Sequence, residues 1–365
     1  MRILVINAGS TSTKLRVVER DGRVERSLDL HATGEPLTDQ LDRFLAEVGH
    51  LDATGHRVVH GGAGFTGPVV VNDSVRRALD ALNDLAPLHN PAALLGVDAA
   101  RRVTPHVPTV ACFDTAFHAS LHEAATTYAL PEAWVARGGI RRYGFHGLSC
   151  EWSVGRAAAL LERPVATLRL VICHLGGGAS VTAVAAGRSV DTTMGFTPTE
   201  GLVMATRPGD VDPGAIAWLA ARGVPPGELV DGLERRSGLL ALTGTTDMRR
   251  LWQARAAGER AATRALDVYL HRLRSKIAAM CAAIEGTDVL VFTGGVGENA
   301  GEVRAAVCER LGWLGISVDP DLNTSVEDDD ADISRAGAPV RTLVIHAREE
   351  LVIAAGCRAV LGDPA

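Results

Sequence analysis

The stretch that most constrains the fold is Leu170 to Asp191 (LVICHLGGGASVTAVAAGRSVD), two apolar strand-like runs joined by Gly176, Gly177 and Gly178. Consecutive glycines weaken a strand, but they allow φ > 0 and let several N–H groups converge on an anion. The turn therefore reads as a phosphate cradle, with a plain hairpin loop as the alternative. A second copy of the layout opens the chain. Ile3 to Ile6 is apolar, Asn7 to Thr13 (NAGSTST) is small and polar, and Leu15, Val17 and Val18 resume the strand pattern after Lys14. Two such copies about half the chain apart imply two related halves that both offer phosphate contacts to one ligand. The N-terminal copy lacks the GxxxxGK[ST] spacing and continues as strand, so it is not a P-loop. Lys14, one of two lysines in the chain, places a compact ammonium beside the turn that holds Ser10 and Ser12, which suits a phosphate; a surface charge is the other reading.

The 365 residues make two domains or one large one, and 47% hydrophobic residues against 22% charged provide for a buried core. A net charge of −6 with no clustered basic stretch argues against nucleic-acid binding. Six cysteines, at positions 112, 150, 173, 281, 308 and 357, form no CxxC pair and lie in apolar surroundings, the pattern of reduced core residues in a cytosolic protein. No apolar run approaches the roughly 18 residues of a membrane span, and Met1 to Ile6 passes straight into a polar turn, so neither a span nor a signal peptide is expected.

Further along, Leu37 to Val48 has helical spacing, and Arg57 follows His56 in a short apolar strand ending at Gly61-Gly62. A surface position is the common fate of arginine. Its apolar neighbours favour a guanidinium aimed into a cleft outside a strand end. Val75 to Leu85 reads as a helix, and Val107 to Thr115 as a buried strand ending at Asp114, either a helix N-cap or a site residue. His146 lies in the compact RRYGFHG turn, and Arg207 in a Pro/Gly loop beside Asp210 and Asp212, where a surface ion pair is the plain alternative. Ala256 to Ile284 reads as one long packing helix. Asp288 to Val307 has the strand, glycine turn and helix order that seats a nucleotide against a helix N-terminus, with Glu298 and Asn299 nearby. The acidic run Glu327 to Asp332 reads as a solvated loop, and Glu349-Glu350 opens the last helix.

With these pieces in place the chain resembles the acetate kinase family, of the superfamily that includes sugar kinases, the Hsp70 ATPase and actin. The resemblance runs nearly end to end, through NAGSTSTK (Asn7 to Lys14), GHRVVHGG (Gly55 to Gly62), APLHNP (Ala86 to Pro91), FDTAFH (Phe113 to His118), RRYGFHG (Arg141 to Gly147), CHLGGGAS (Cys173 to Ser180), MGFTPTEGL (Met194 to Leu202), TRPGDVDP (Thr206 to Pro213), TGGVGEN (Thr293 to Asn299) and REEL (Arg348 to Leu351). It implies an α/β fold of two duplicated actin-like, ribonuclease H-like domains with the active site in the interdomain cleft. The N-terminal domain would comprise 1–115 plus 350–365, and the nucleotide-binding domain 116–349. The implied activity is reversible transfer of the ATP γ-phosphoryl group to a short carboxylate, giving acyl phosphate and ADP, with Mg²⁺ or Mn²⁺, in a cytoplasmic homodimer. By motif position, Arg57 and Arg207 hold the carboxylate and the moving phosphoryl, Asp114 is the catalytic acidic residue, and His146 donates to the transition state. Val59, Leu88, Phe145 and Pro198 form the acyl pocket, and Asn7 and Glu349 stand near the metal. Nucleotide contacts fall on Ser10, Ser12, Lys14, on His174, Leu175 and Gly176 to Gly178, on Asp247, Met248 and Arg249, and on Gly295, Val296, Gly297, Glu298 and Asn299.

The chemistry is consistent with that set. Phosphoryl transfer needs alignment and cations around the equatorial oxygens, and a carboxylate is already a nucleophile at neutral pH, so Asp114 is expected to position metal or substrate and not to remove a proton. Four departures stand out. Gly177 replaces the usual Asn of the HLGNG loop, Leu148 and Cys150 replace Thr and His, Arg348 replaces the Asn before Glu349, and the segment ahead of GHRVVHGG is short. They bear on nucleotide affinity, metal geometry and the phosphoryl donor, and Gly177 and Arg348 leave an inactive relative open; a kinase for a longer acid such as butyrate is a separate alternative, against which Phe145 and Pro198 argue for a small pocket. A switch or scaffold of the actin or Hsp70 kind is disfavoured by the paired arginines.

Overall fold

The computed structural model describes residues 1–8, 12–31 and 36–363, with positions 12 and 31 described by backbone alone. The expected contact at Ser10 lies outside the described residues. The chain divides into two compact units. The first comprises Met1–Ala119, Phe145–Trp152 and Arg348–Ala365; the second comprises Ser120–Gly144 and Ser153–Ala347. Phe145–Trp152 therefore groups with the first unit, whereas the sequence division placed it in 116–349.

In the first unit, β1 (Ile3–Ala8), β2 (Ser12–Val18), β3 (Val24–His31), β4 (Ala53–Val58), β5 (Val69–Val70) and β6 (Thr109–Phe113) form one sheet in the order β3-β2-β1-β4-β6-β5. The first three strands are an antiparallel meander, β4 and β6 run parallel to β1, and β5 closes the edge antiparallel to β6. The second unit repeats this with β7 (Arg169–Leu175), β8 (Ala179–Ala185), β9 (Arg188–Thr192), β10 (Val289–Thr293), β11 (Ala331–Asp332) and β12 (Arg341–Val344). Its order, β11-β12-β10-β7-β8-β9, is the same once β7 is matched to β1, β10 to β4 and β12 to β6. The expected α/β class and duplicated halves are thus present strand by strand.

The first strand is apolar from Ile3 to Ile6 because both of its faces are covered there. Ile3 and Val5 pack with Ile353, Ala354 and Cys357 of the helix Glu349–Leu361, while Leu4 and Ile6 pack with Leu41 and Phe44 of Leu37–Val48 and with Ala99 and Ala100 of Asn90–Val103. Gly55 in β4 permits the close approach of that last helix, since a Cβ there would lie 2.7 Å from Cys357 Sγ and Ile353 Cγ2. In the second unit, the helix Arg260–Ala283 buries Leu266, Leu270, Leu273, Ile277 and Cys281.

Several elements differ from expectation. The long helix begins only at Arg260, because Gly258 takes φ +84° and separates it from Met248–Ala256. Val75 to Leu85 is a helix at Asp73–Asp80 followed by a 3₁₀ turn at Asn83–Leu85. The acidic run is partly structural: Asp330 accepts from Arg156 Nε and from the His346 N–H, both at 2.8 Å, and Asp332 pairs with Arg341. All six cysteines are buried thiols, none joined in a disulfide. Among the described residues, no helix is long and apolar enough to cross a membrane.

Candidate active site

The three parallel strands of the first unit deliver their polar residues at one end. Asn7 sits near the end of β1, Arg57 near the end of β4, and Asp114 immediately after β6, with its N–H bonded to Val58 O. Glu349, the first residue of the last helix, joins them. Arg57 Nε lies 3.0 Å from both Asp114 oxygens, and Nη2 lies 2.5 Å from Oδ2. Arg57 Nη1 reaches Asn7 Oδ1 at 3.4 Å, Asn7 Nδ2 donates to Glu349 Oε2 at 2.8 Å, and that oxygen is 3.6 Å from Arg57 Nε. Carboxyl ends of parallel strands are where open α/β sheets bind ligands, and this cluster occupies such an end.

Its electrostatics are unbalanced. Burial and the Glu349 charge push the Asp114 carboxyl up to about 6, against the opposing pull of Arg57. Burial alone would lower the Arg57 guanidinium, but Asp114 and Glu349 outweigh it and hold it above its ordinary value. Two carboxylates facing one guanidinium leave a residual negative charge. Among the described residues, no group of three or more His, Cys, Asp or Glu side chains could cage a metal. Magnesium seldom uses such a cage; it takes one or two carboxylates and completes its shell with phosphate and water. Asp114, Glu349 and the Asn7 amide fit that manner of binding.

The YGFHG turn is fastened to the same cluster. His146 takes φ +59°, uncommon for a residue with a side chain. The Gly147 N–H donates to Asp114 O at 2.9 Å, and a Cβ at Gly147 would lie 2.2 Å from that oxygen, so only glycine fits. His118 Nε2 lies 2.9 Å from Phe145 O; burial pushes this imidazole down to about 4, so it is neutral and Nε2–H is the donor. Val59 and Phe145 are buried, and Leu88 is partly so. Buried Asn90 clamps the preceding loop by accepting from the His60 N–H and donating to His60 O, while Thr115 Oγ1 accepts from the Gly61 N–H. Asn90, Thr115, His118 and Gly147 were missed as site residues. Their signal was membership of APLHNP, FDTAFH and YGFHG, where they hold backbone groups of the loops around the cluster.

In the second unit, Arg207 Nη1 donates to Pro198 O at 3.1 Å, and burial lowers the guanidinium below its ordinary value against a raising contribution from Glu234. Of the two acids beside it in sequence, Asp210 pairs with Lys276 at 2.5 Å. The Pro198 loop is stapled by Glu200, which takes Arg142 Nη2 at 2.6 Å and the Tyr128 hydroxyl.

The glycine turn corrects one expectation. None of Gly176, Gly177 and Gly178 has positive φ; the Gly176 N–H closes the turn on Gly178 O at 2.9 Å. A Cβ at Gly177 would meet nothing within 4 Å, so an asparagine would fit and its absence removes a contact without a steric cause. Leu175 is buried and His174 partly exposed. The Gly294–Asn299 helix is six residues long, and Glu298 Oε1 accepts from the Gly294 N–H at 2.8 Å and the Ala347 N–H at 2.9 Å. A carboxylate therefore fills the position expected to seat phosphate, and its charge would repel one. Gly295 and Asn299 are exposed, Val296 is partly buried and Gly297 is buried. Asp247 is spent as an N-cap, accepting from the Arg249 and Arg250 N–H groups; Met248 is buried, and Arg249 is exposed. Lys14 is exposed on β2, in register with Asn7.

Comparison with known proteins accords with this geometry. The profile of the Acetokinase family matches residues 23–355. The acetate kinase of Synechococcus sp. is 43% identical, covering 99% of each chain, and that of Deinococcus radiodurans is 44% identical, covering 99% of this chain and 98% of its own. Among solved structures, Porphyromonas gingivalis acetate kinase superposes with a TM-score of 0.90 at 34% identity over 99% of each chain. A propionate kinase from Francisella tularensis also gives 0.90 at 34% identity, over 97% of this chain and 98% of that one. The chain belongs to the acetokinase family.

Proposed function

We propose that this protein is an acetate or propionate kinase, transferring the γ-phosphoryl group of ATP reversibly to a short-chain carboxylate. The observation that carries the reading is the Asn7, Arg57, Asp114 and Glu349 cluster at the carboxyl ends of β1, β4 and β6. In the forward direction a carboxylate oxygen attacks the γ-phosphorus, the bond from phosphorus to the ADP oxygen breaks, and acyl phosphate and ADP result. No proton is removed from the nucleophile. Arg57, already charged and oriented by Asp114, and Arg207, oriented by Pro198 O, neutralise the equatorial oxygens, and His146 donates a hydrogen bond as charge develops. Asp114, Glu349 and Asn7 would hold Mg²⁺, which when bound draws charge from the phosphate oxygens. Val59, Leu88, Phe145 and Pro198 would face the acyl chain.

Nucleotide contacts are assigned to Lys14, Ser10 and Ser12, to His174 and Gly176 to Gly178, and to the exposed Gly295, Asn299 and Arg249. Because Glu298 fills the start of the Gly294–Asn299 helix with negative charge, that segment suits the nucleoside and not the phosphates. We further propose a cytoplasmic homodimer. Supporting this, the helix Pro213–Ala220 (PGAIAWLA) is apolar along its length yet has no buried residue, and Val211, Trp218, Leu219 and Val230 are all exposed.

The test is hydroxamate trapping of acyl phosphate with ATP, Mg²⁺ and the straight-chain acids from formate to butyrate. Product with acetate or propionate, falling off at butyrate, is expected. A maximum at butyrate would assign the longer acid, and no product with any acid would sink the reading.

A further inference from the structure

We infer that His118 is a positioning residue for His146, holding it in the left-handed conformation through the carbonyl of Phe145. The inference rests on the phosphoryl-transfer reading for its kinetic consequence, but its geometry stands independently. A non-glycine residue at φ +59° is held only where its surroundings over-determine it. Here the restraint is applied on both sides of the residue. After it, the Gly147 N–H is bonded to Asp114 O at 2.9 Å; before it, Phe145 O is bonded to His118 Nε2 at 2.9 Å. The following helix adds a third restraint, since His146 O accepts from the Cys150 N–H at 2.9 Å. His118 and Phe145 are 1% exposed each, so water cannot replace the bond between them. Asp114 and His118 lie on the same short segment following β6. One pentapeptide, Asp114 to His118, thus carries both the carboxylate that orients Arg57 and the imidazole that fixes the carbonyl ahead of His146. The bond needs a proton on Nε2, and in the ring that burial keeps neutral down to about pH 4 this fixes the Nε2–H tautomer.

Three single variants and one double variant test this: His118→Leu, which removes the donor; His118→Gln, whose amide nitrogen replaces Nε2 as donor; His146→Ala; and His118→Leu combined with His146→Ala. Expected for His118→Leu is a fall in kcat of about ten- to a hundredfold, the scale of an ångström-sized misplacement, with both KM values nearly unchanged. His118→Gln should retain kcat within a few-fold. The double variant His118→Leu/His146→Ala should be no slower than His146→Ala alone, since His118 acts only through His146. Losses that multiply in the double variant, or equal losses in the Gln and Leu variants, would overturn the inference. Should the Leu variant fail to fold, His118→Gln decides: retention of kcat supports the donor role, and a kcat as low as that of His146→Ala refutes it. If the wild-type protein forms no acyl phosphate, the functional reading has failed and positioning is read without turnover. The rate of diethylpyrocarbonate modification at His146, mapped by mass spectrometry, should change in His118→Leu and stay at the wild-type value in His118→Gln; an unchanged rate in the Leu variant counts against the proposal.

Discussion

At the scale of single residues, Asp114 is where environment most alters chemistry. Its carboxyl titrates near 6 because it is buried and shares Arg57 with Glu349. The ionised form orients Arg57, so kcat/KM for the acid should fall as pH drops through about 6, and raising Mg²⁺ should move that limb lower. Asp114→Asn should abolish the limb and cost on the order of a hundredfold in kcat; a variant with full activity at saturating Mg²⁺ would refute the assignment. Stability follows the opposite sign. A carboxyl raised from 3.8 to about 6 in the folded state adds stability that is fully present below 3.8 and lost as pH rises through about 6. Melting curves between these limits should show the wild-type protein losing that increment and Asp114→Asn keeping a flatter profile. Arg57 and Asp114 were legible in the sequence because the first stands among Val58 and Val59 before a glycine pair and the second ends an apolar run, patterns that name a strand end. The Pro198 carbonyl on Arg207 was not, because a backbone acceptor leaves no mark in residue type.

At the scale of elements, strand and helix periodicity located the two hairpins and the packing helices, whereas the breaks depended on single dihedral angles. Gly258 ends a helical pattern that apolar spacing alone would continue, and the three glycines of the turn adopt negative φ despite their freedom. Glu298 shows how a motif can hide a structural bond. Its motif suggests a nucleotide contact, but its carboxylate ties the start of its own short helix to Ala347, the last residue before the chain passes to Arg348 and Glu349. Glu298→Ala would leave two N–H groups without their acceptor, a cost of about 1 to 3 kcal/mol each where they stay dry. Glu298→Gln keeps the accepting oxygen. The Ala variant should therefore melt several degrees lower and the Gln variant close to wild type, with KM for ATP following the same order. Equal losses of ATP affinity in both, at unchanged melting temperature, would instead show that the charge itself meets the nucleotide's metal.

At the scale of the whole molecule, the duplication was visible in sequence only as two turns, because strand order depends on pairing and pairing partners such as Leu170 and Val289 lie about 120 residues apart. The repeated order of the two sheets makes each unit complete, with its helices covering the sheet, yet Pro213–Ala220 has no buried residue. An octapeptide of Pro, Gly, Ala, Ile, Trp and Leu contributes no charge to keep it in water, and Arg222 stacked 3.6 Å from the Trp218 ring masks only one face of the indole. Burying such a surface against a second copy would gain roughly 25 cal/mol for each Å² of apolar area removed from water. Tryptophan dominates interfaces of this kind, so Trp218→Glu should weaken the dimer by about 2 kcal/mol or more, some thirtyfold in Kd. Light scattering across a dilution series would register this as a shift from twice the chain mass toward the chain mass at concentrations where the wild type stays dimeric. Thermal melting of the variant at low concentration should match the wild type diluted to its own monomer range, because the substitution lies outside either core. A variant that remained dimeric with the wild-type dilution curve would place the contact between copies on another face.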